Sequence, residues 1–284
     1  MEGITFMVYI TAALYCEAMP FIRQLGLKKV TAETKYQLFT NEQFLLMVTG
    51  SGPVAAAGAV SRLFTQYPPS DSDLLINFGI CASSDSGVRY GTLFYCNRIN
   101  DAAAGRTYYP DMLWKHPFTE GTVTTFGSPV KYDGLPRDGS LADMEAAAVY
   151  QIGSLYLHPH QMAFFKAVSD HGADSDRLTP QAVSDLLMPH VKPVTDWAAA
   201  AASCLPAPCI FSGQDRALTE DTADKLFLSA AMKHQLFSLL YYYKLAHGEI
   251  GGLLSEFWAD TDAGKINCRK KGKKYFEQLK QRII

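Results

Sequence analysis

The stretch Leu74-Leu75-Ile76-Asn77-Phe78-Gly79-Ile80-Cys81-Ala82 is an almost uninterrupted apolar run that ends in small residues. A strand with one solvated face alternates apolar and polar side chains, whereas a strand covered on both faces is apolar throughout. The run therefore predicts a central strand of a parallel or mixed sheet that lies between two layers of helices.

Segments on both sides of this run have the patterns expected of such a fold. Short β-branched and aromatic runs predict further strands at residues 4–10, 36–39, 44–48, 93–96, 122–126 and 162–168. Longer periodic segments predict helices at residues 17–25, 54–64 and 179–205. Helices that alternate with strands are typical of α/β proteins.

The composition is that of an ordinary globular protein of 284 residues, with a formal net charge of -2 and 48% hydrophobic residues. This length fits one large domain, or a domain of about 200 residues with an appendage. The near-neutral charge predicts no general attraction to nucleic acid or to membranes. The six cysteines form no CxxC pair, and the chain has neither a secretory signal nor an apolar run of about 20 residues. We therefore expect a cytoplasmic protein with reduced thiols and no membrane partner.

The alanine-rich segment Asp143-Met144-Glu145-Ala146-Ala147-Ala148-Val149-Tyr150 has the composition of a buried helix. The spacing between Ser140 and Asp143 is that of a helix cap, and it predicts that this helix begins at Ser140. Glu145 would then lie in the first two turns, where the helix dipole favours negative charge. Taken alone, Glu145 is equally consistent with an acid that only interacts favourably with this dipole and with one that binds a ligand.

Two further acids stand where predicted buried strands end. Glu17 follows the first strand and begins the first helix, and Asp170 follows the strand at 162–168. Open α/β sheets bind ligands at the carboxyl ends of their strands, and an acid buried there without a partner is costly. A lone acid such as Glu17 is more often a solvated residue at a helix start, so its role depends on what surrounds it.

The sequence pattern changes after residue 205, where Pro206-Ala207-Pro208 ends the long predicted helix. We expect a domain of residues 1–205, followed by a helical and partly basic extension of residues 206–284. Helices are predicted in the extension at residues 219–243, broken once, and at 264–284. The last of these is rich in Lys and Arg and could contact the phosphates of a nucleic acid, but a solvated tail is the commoner explanation of such a run.

Three motifs, taken in order, resemble those of the purine nucleoside phosphorylase and methylthioadenosine/adenosylhomocysteine nucleosidase superfamily. They are Glu17, the strand that enters Asn77-Phe78-Gly79-Ile80-Cys81-Ala82, and Met144-Glu145 followed by Ser169-Asp170. The resemblance covers about residues 4 to 205. It implies a three-layer α/β/α sandwich around a mixed central sheet, a purine nucleoside as the small-molecule partner, and a homodimer or higher homo-oligomer.

The resemblance also implies roles for individual residues. Glu17 matches a catalytic acid that activates water, and Asp170 matches the acid that protonates the purine leaving group. Glu145 matches the residue that binds the ribose hydroxyls, and Lys166 stands where nucleosidases commonly have Arg. The substrate-binding residues that the resemblance implies are Met144, Glu145, Ser169, Gly79, Ile80, Cys81 and Lys166.

These residue types suit the cleavage of an N-glycosidic bond. The reaction develops positive charge on the sugar, so one group must protonate the base while another directs water to the opposite face. The Gly-Asp-Pro motif and the Arg with which related phosphorylases hold phosphate are missing, which favours hydrolysis over phosphorolysis. No cofactor or metal is required, because the histidines form no convincing ligand set.

Two alternatives stay open at this point. One is a purine nucleoside phosphorylase. The other is a nucleoside-binding regulatory module that has lost turnover, motivated by the turn Gly79-Ile80-Cys81-Ala82-Ser83-Ser84. The superfamily typically has Ser or Thr after the first Gly of this turn, together with further glycine, and this chain has neither there.

Overall fold

The apolar run around Ile76 forms β5 (Leu74–Ser83), the strand on which the sheet is built. The computed structural model describes residues 6–32, 35–136, 138–172, 178–205 and 211–283. Three strands flank β5: β1 (Val8–Ala12) and β10 (Met162–Asp170) are parallel to it, and β9 (Leu141–Asp143) is antiparallel. The predicted mixed sheet is thereby confirmed.

The sheet combines a closed ring of strands with an open wing. In the ring, β10 pairs with β6 (Leu93–Asp101), β6 pairs with β8 (Thr119–Thr125), β8 pairs with β9, and β9 returns to β5. The wing continues from β1 through three strands: β4 (Phe44–Val48), β3 (Gln37–Thr40) and β2 (Lys28–Lys29). A short strand, β7 (Arg106–Tyr108), is added to β6. The ring gathers the ends of several strands at one place, where the candidate site lies.

Helices cover both faces of this sheet. One core contains side chains of α1 (Tyr15–Gln24) and α4 (Pro180–Cys204), and the other contains side chains of α2 (Pro53–Gln66) and α3 (Ala146–Gly153). Neighbouring residues of β10 point in opposite directions, so that Phe165 packs in the first core and Phe164 in the second. Each fully buried Phe contributes about 1.5–3 kcal/mol, which explains why both faces of the strands are apolar. The predicted three-layer α/β/α architecture is confirmed.

The start of α3 differs from the sequence prediction. The predicted helix start at Ser140 is wrong, because residues Leu141–Asp143 form β9 and the helix begins only at Ala146. Leu141 and Ala142 are buried and close the ring by pairing with β8 on one side and β5 on the other. Sheet hydrogen bonds to two distant strands outweigh the local capping pattern here. The first strand is also shifted, to Val8–Ala12, and residues 4 and 5 of its predicted range lie outside the described residues.

The chain divides into two compact units, Met1–Pro206 and Ala207–Ile284. The predicted boundary at Pro206-Ala207-Pro208 itself falls in residues 206–210, outside the described residues. The second unit has its own apolar core and contains the helices α5 (Gly213–Lys225), α6 (Ala230–His247), α7 (Gly251–Ala259) and α8 (Arg269–Ile283). The helix predicted at 219–243 is thus two helices, and the last helix begins at Arg269 rather than 264. None of the helices in the described part of the chain is long and apolar enough to cross a membrane.

Candidate active site

A cavity of about 330 Å³ opens where the carboxyl ends of β1, β5 and β10 meet the end of β9. The strand pairings that bring these ends together include Thr11 with Asn77 and Ala82 with Ala142. Its wall carries four carboxylates, which belong to Glu17, Asp143, Glu145 and Asp170. All four residues are more than nine-tenths buried.

Glu17 is held by two backbone amides. It lies in the first turn of α1, where the N–H of Leu14 donates to Oε2 at 2.8 Å, and the N–H of Ile80 in β5 donates to Oε1 at 2.9 Å. Burial raises the pKa of Glu17 to about 7, against the opposing effects of the Ile80 amide and the Lys166 ammonium. A carboxylate with a pKa close to neutral is suited to accept a proton from water.

Gly79 makes room for that carboxylate. A Cβ atom at position 79 would lie 2.7 Å from Oε1 of Glu17 and 3.2 Å from its carboxyl carbon, closer than real Cβ contacts come. Gly79 was predicted to bind substrate, but it is not among the residues that line the cavity. Its visible role is to let Glu17 reach β5.

Glu145 is the residue that precedes the first turn of α3. Its Oε1 accepts hydrogen bonds from the N–H of Gly52 at 2.8 Å and from the hydroxyl of Ser51 at 3.3 Å. Gly52 has a φ of 95°, a backbone conformation that residues other than glycine rarely adopt. This conformation lets its amide point at the carboxylate. Burial raises the pKa of Glu145, Lys166 lowers it and Asp143 raises it, so that its pKa lies above the ordinary value.

Asp143 organises the cavity floor. Its Oδ1 accepts from the hydroxyl of Thr125 at 2.6 Å, and its Oδ2 accepts from the N–H of Ala146 at 2.8 Å, which caps α3. The same Oδ2 lies 2.8 Å from Nζ of Lys166, whose side chain is almost completely buried. Asp143 therefore caps α3 through its side chain, although it is the last residue of β9 and not part of the first helical turn as predicted, and its ion pair with Lys166 was not predicted from the sequence.

Asp170 is the last residue of β10 and also lines the cavity. The hydroxyl of Ser169 lies 2.8 Å from Oδ2 of Asp170 and 3.2 Å from the carbonyl oxygen of Cys81, and the N–H of Gly172 donates to Oδ1 of Asp170 at 2.8 Å. The next residue, His171, bonds through Nδ1 to the carbonyl of Ser83. These contacts fix the strand end and leave Asp170 at the cavity wall.

The structure brings most of the predicted site residues to this one cavity. Seven of them line it: Glu17, Ile80, Cys81, Met144, Glu145, Ser169 and Asp170. Gly79 and Lys166 lie beneath the wall instead. The cavity is also lined by Asp143, Ser51 and the loop of residues 128–130, which were not predicted from the sequence. Asp143 lies between a short apolar run and the alanine-rich helix, and this position was the signal in the sequence that could have identified it.

The lining is acidic and apolar. No Lys, Arg or His occurs among the described residues that line the cavity, and the described part of the chain contains no cluster of His, Cys, Asp and Glu suited to a metal ion. Such a lining offers hydrogen-bond acceptors for hydroxyl groups, carboxyl groups for proton transfer, and apolar surface for a ring.

Over about 70% of its length, the chain is similar in fold to several nucleosidases of known structure. The 5'-methylthioadenosine/S-adenosylhomocysteine nucleosidase from Helicobacter pylori, solved with butyl-thio-DADMe-Immucillin-A, superimposes with a TM-score of 0.56 at 10% identity, and covers 70% of this chain and 100% of its own. The enzyme of the same name from Neisseria meningitidis, in complex with methylthio-immucillin-A, gives 0.55 at 17% identity over 68% and 99%. The apo 5'-methylthioadenosine nucleosidase of Arabidopsis thaliana gives 0.57 at 18% identity over 69% and 97%.

These likenesses confirm the fold that the resemblance implied. No protein-family model matches the chain, and no curated protein matches its sequence. The chain therefore shares the fold of the nucleosidases at low sequence identity. At such identity, function has to be inferred from individual residues of the site and not from overall similarity.

Proposed function

We propose that this chain hydrolyses the N-glycosidic bond of a purine nucleoside. The observation that carries the proposal is the presence of Glu17, Glu145 and Asp170 at one cavity, each at the end of a different strand or at the start of a helix. The shared fold of the nucleosidases, whose structures hold nucleoside analogues, supports the same choice of substrate.

Glu145 is proposed to bind the ribose. Its two hydrogen bonds from Ser51 and Gly52 both end on Oε1. We assign Oε2 to the hydroxyls of the sugar, which donate to a carboxylate more strongly than to a neutral acceptor. Negative charge at this place also stabilises the positive charge that develops on the sugar as the bond breaks.

Glu17 is proposed to activate the attacking water. With a pKa of about 7, a large fraction of Glu17 is ionised at neutral pH, and the carboxylate can accept a proton as water attacks the anomeric carbon. The backbone N–H groups of Leu14 and Ile80 hold the carboxylate in place and do not transfer their protons to it. Asp170 is proposed to donate a proton to the departing purine, which then leaves as a neutral base.

Water is proposed as the acceptor rather than phosphate. A phosphate anion needs cationic or multiple N–H donors around it, and the described lining contains carboxylates but no Lys, Arg or His. Lys166, which lies near the site, is buried and paired with Asp143. A purine nucleoside phosphorylase remains the runner-up.

The test is a chromatographic screen of purine nucleosides for release of the free base, with and without added phosphate. We expect release without phosphate from the wild-type protein, and loss of release in the Asp170→Asn variant. The matched control is Asp196→Asn, which removes an exposed carboxylate of α4 that pairs with Lys192. Release that requires phosphate supports the phosphorylase. Nucleoside binding by calorimetry without any product supports the regulatory module.

The state of assembly and the compartment are part of the same proposal. We expect a homodimer or higher oligomer, because Val54 at the start of α2 and Leu155 after α3 expose large apolar side chains at 87% and 73%. Analytical ultracentrifugation of the full chain tests this, and a monomer at micromolar concentration contradicts it. A cytoplasmic location fits the five cysteines of the described residues, which are free thiols.

A further inference from the structure

Lys166 has no part in the chemistry described above, although it is among the most deeply buried side chains of the protein. It lies in the middle of β10, in register with Gly79 of β5 and Phe94 of β6, and is 1% exposed. Burying an ammonium group is costly, and a buried cation persists only where its partners compensate. What compensates Lys166 therefore indicates what it does.

The partners of Lys166 are the carboxylates of the cavity. Asp143 makes the direct ion pair at 2.8 Å and is itself fixed by Thr125 and by the N–H of Ala146. Burial lowers the pKa of Lys166, but the nearby carboxylates raise it by more than burial lowers it. The pKa therefore lies above its ordinary value, and the side chain stays charged. The titratable groups that act on Lys166, or on which it acts, are Asp143, Glu145, Glu17, Cys81 and Cys96. Lys166 also lies beside Glu17. It pairs with Gly79 of β5, where a Cβ atom would lie 2.7 Å from Oε1 of Glu17, and paired residues of neighbouring strands point to the same face of the sheet.

We propose that Lys166 is a positioning residue: its buried ammonium group, held by Asp143 and in register with Gly79, acts on Glu17 from beneath the cavity wall and favours the carboxylate that activates water. The inference rests on the proposed function, in which Glu17 is the base. It replaces the substrate contact that the sequence suggested for this residue with an action through Glu17 from beneath the cavity wall.

The electrostatic contributions give the proposal a specific signature. For Glu17, burial raises the pKa to about 7, and among the neighbouring charged side chains Lys166, which lowers the pKa, acts more strongly than any carboxylate, which raises it. For Glu145, burial again raises the pKa, but Lys166 lowers it and Asp143 raises it. Neutralising Lys166 and Asp143 together should therefore raise the pKa of Glu17, while the two changes offset each other at Glu145.

The experiment is a carbon-13 NMR titration of the side-chain carboxyls in protein labelled at glutamate, with Glu17→Gln and Glu145→Gln variants used to assign the two signals. We expect the Lys166→Met/Asp143→Asn double variant to move the Glu17 midpoint upward by about one pH unit or more. The Glu145 midpoint should move much less. The matched control, Lys192→Met/Asp196→Asn, removes an exposed ion pair of α4 and should move neither midpoint.

The Lys166→Arg variant keeps the charge and serves if the double variant does not fold. We expect its Glu17 midpoint to stay within about half a pH unit of the wild-type value, because the charge and not the shape of the side chain is what acts on Glu17. An unchanged Glu17 midpoint in the double variant overturns the proposal, and so does an upward shift of a full unit in the arginine variant.

This titration needs no substrate, so it separates the two proposals. If Glu17 shifts as expected but no purine nucleoside is cleaved, the counter-ion role stands and the proposed function fails. If the protein cleaves nucleosides and Glu17 does not shift, the function stands and the role of Lys166 fails. Where both hold, the acid limb of kcat/KM against pH should move upward in the double variant by the same amount as the Glu17 midpoint.

Discussion

Gly79→Ala is the substitution that tests the placement of Glu17 most selectively. The added methyl group would lie 2.7 Å from Oε1 of Glu17, so either the carboxylate or β5 must move. The strand is held by β1 and β10 on its two sides, whereas the carboxylate is the end of a flexible side chain. We therefore expect Glu17 to retreat by roughly 0.5 Å or more, which is what ordinary van der Waals separations demand.

The expected cost follows from what the carboxylate loses. Displacement weakens its bond from the Ile80 amide, which is 2.9 Å long in the wild-type protein. A misplacement of about 1 Å can cost a reaction on the order of 100-fold, so a loss of about 10- to 100-fold in kcat/KM is expected, or about 1.4–2.7 kcal/mol. Because the Ile80 amide lowers the pKa of Glu17, weakening it should also move the acid limb of activity to higher pH.

The assay is steady-state release of the free base across pH 5 to 9, alongside thermal unfolding. The control is Gly58→Ala in α2, where the new methyl group would meet its nearest neighbour, the Tyr36 hydroxyl, at 3.4 Å. It should retain activity and gain slightly in stability, because Ala favours a helix more than Gly does. Wild-type activity and an unchanged pH profile in Gly79→Ala would refute the assignment of Glu17 as the base.

Three further outcomes are expected. Glu145→Gln should lower kcat/KM about 10- to 100-fold and change Tm by only a few degrees, because the amide oxygen can still accept from Gly52; a large Tm loss with intact activity would mean that Glu145 serves only the helix dipole. The pKa of Glu17 is raised from 4.5 to about 7 in the folded chain, so the folded chain binds this proton more tightly than the unfolded chain does. The free energy of unfolding should therefore decrease as the pH rises from about 4.5 to about 7. Urea unfolding of Glu17→Gln should lose that slope, and a slope equal to that of the wild-type protein contradicts the raised pKa. Gly272→Ala should disrupt the second unit, because its methyl group would overlap the Leu226 carbonyl; unchanged circular dichroism and Tm contradict that packing.

The sheet and two of the four acids of the cavity were predictable because both depend on local sequence. A strand that is apolar on both faces, such as β5, indicates its own burial, and an acid that follows such a strand is placed at the sheet edge by the chain itself. Glu17 and Asp170 were found in this way. Glu145 was found through its neighbour Met144 and through the order of the three motifs.

What could not be predicted depends on contacts between distant segments. Ser140 and Asp143 fit a helix cap, yet residues 141–143 form β9 because β8 and β5 supply hydrogen-bond partners that the local sequence does not reveal. The depth of Lys166 is a second case, since β10 is apolar around it and only the fold shows that Asp143 lies opposite. The helix α7 begins at Gly251-Gly252, a pair that argues against a helix in any sequence reading.

We propose above that Glu17, Glu145 and Asp170 form a hydrolytic site for purine nucleosides. The most direct test is to incubate the purified full-length chain with adenosine, inosine, guanosine and 5'-methylthioadenosine in phosphate-free buffer, and to measure free base by chromatography. We expect free base from at least one of them with the wild-type protein and none above background with Asp170→Asn. No base release from any of them, or equal release by both proteins, would contradict it.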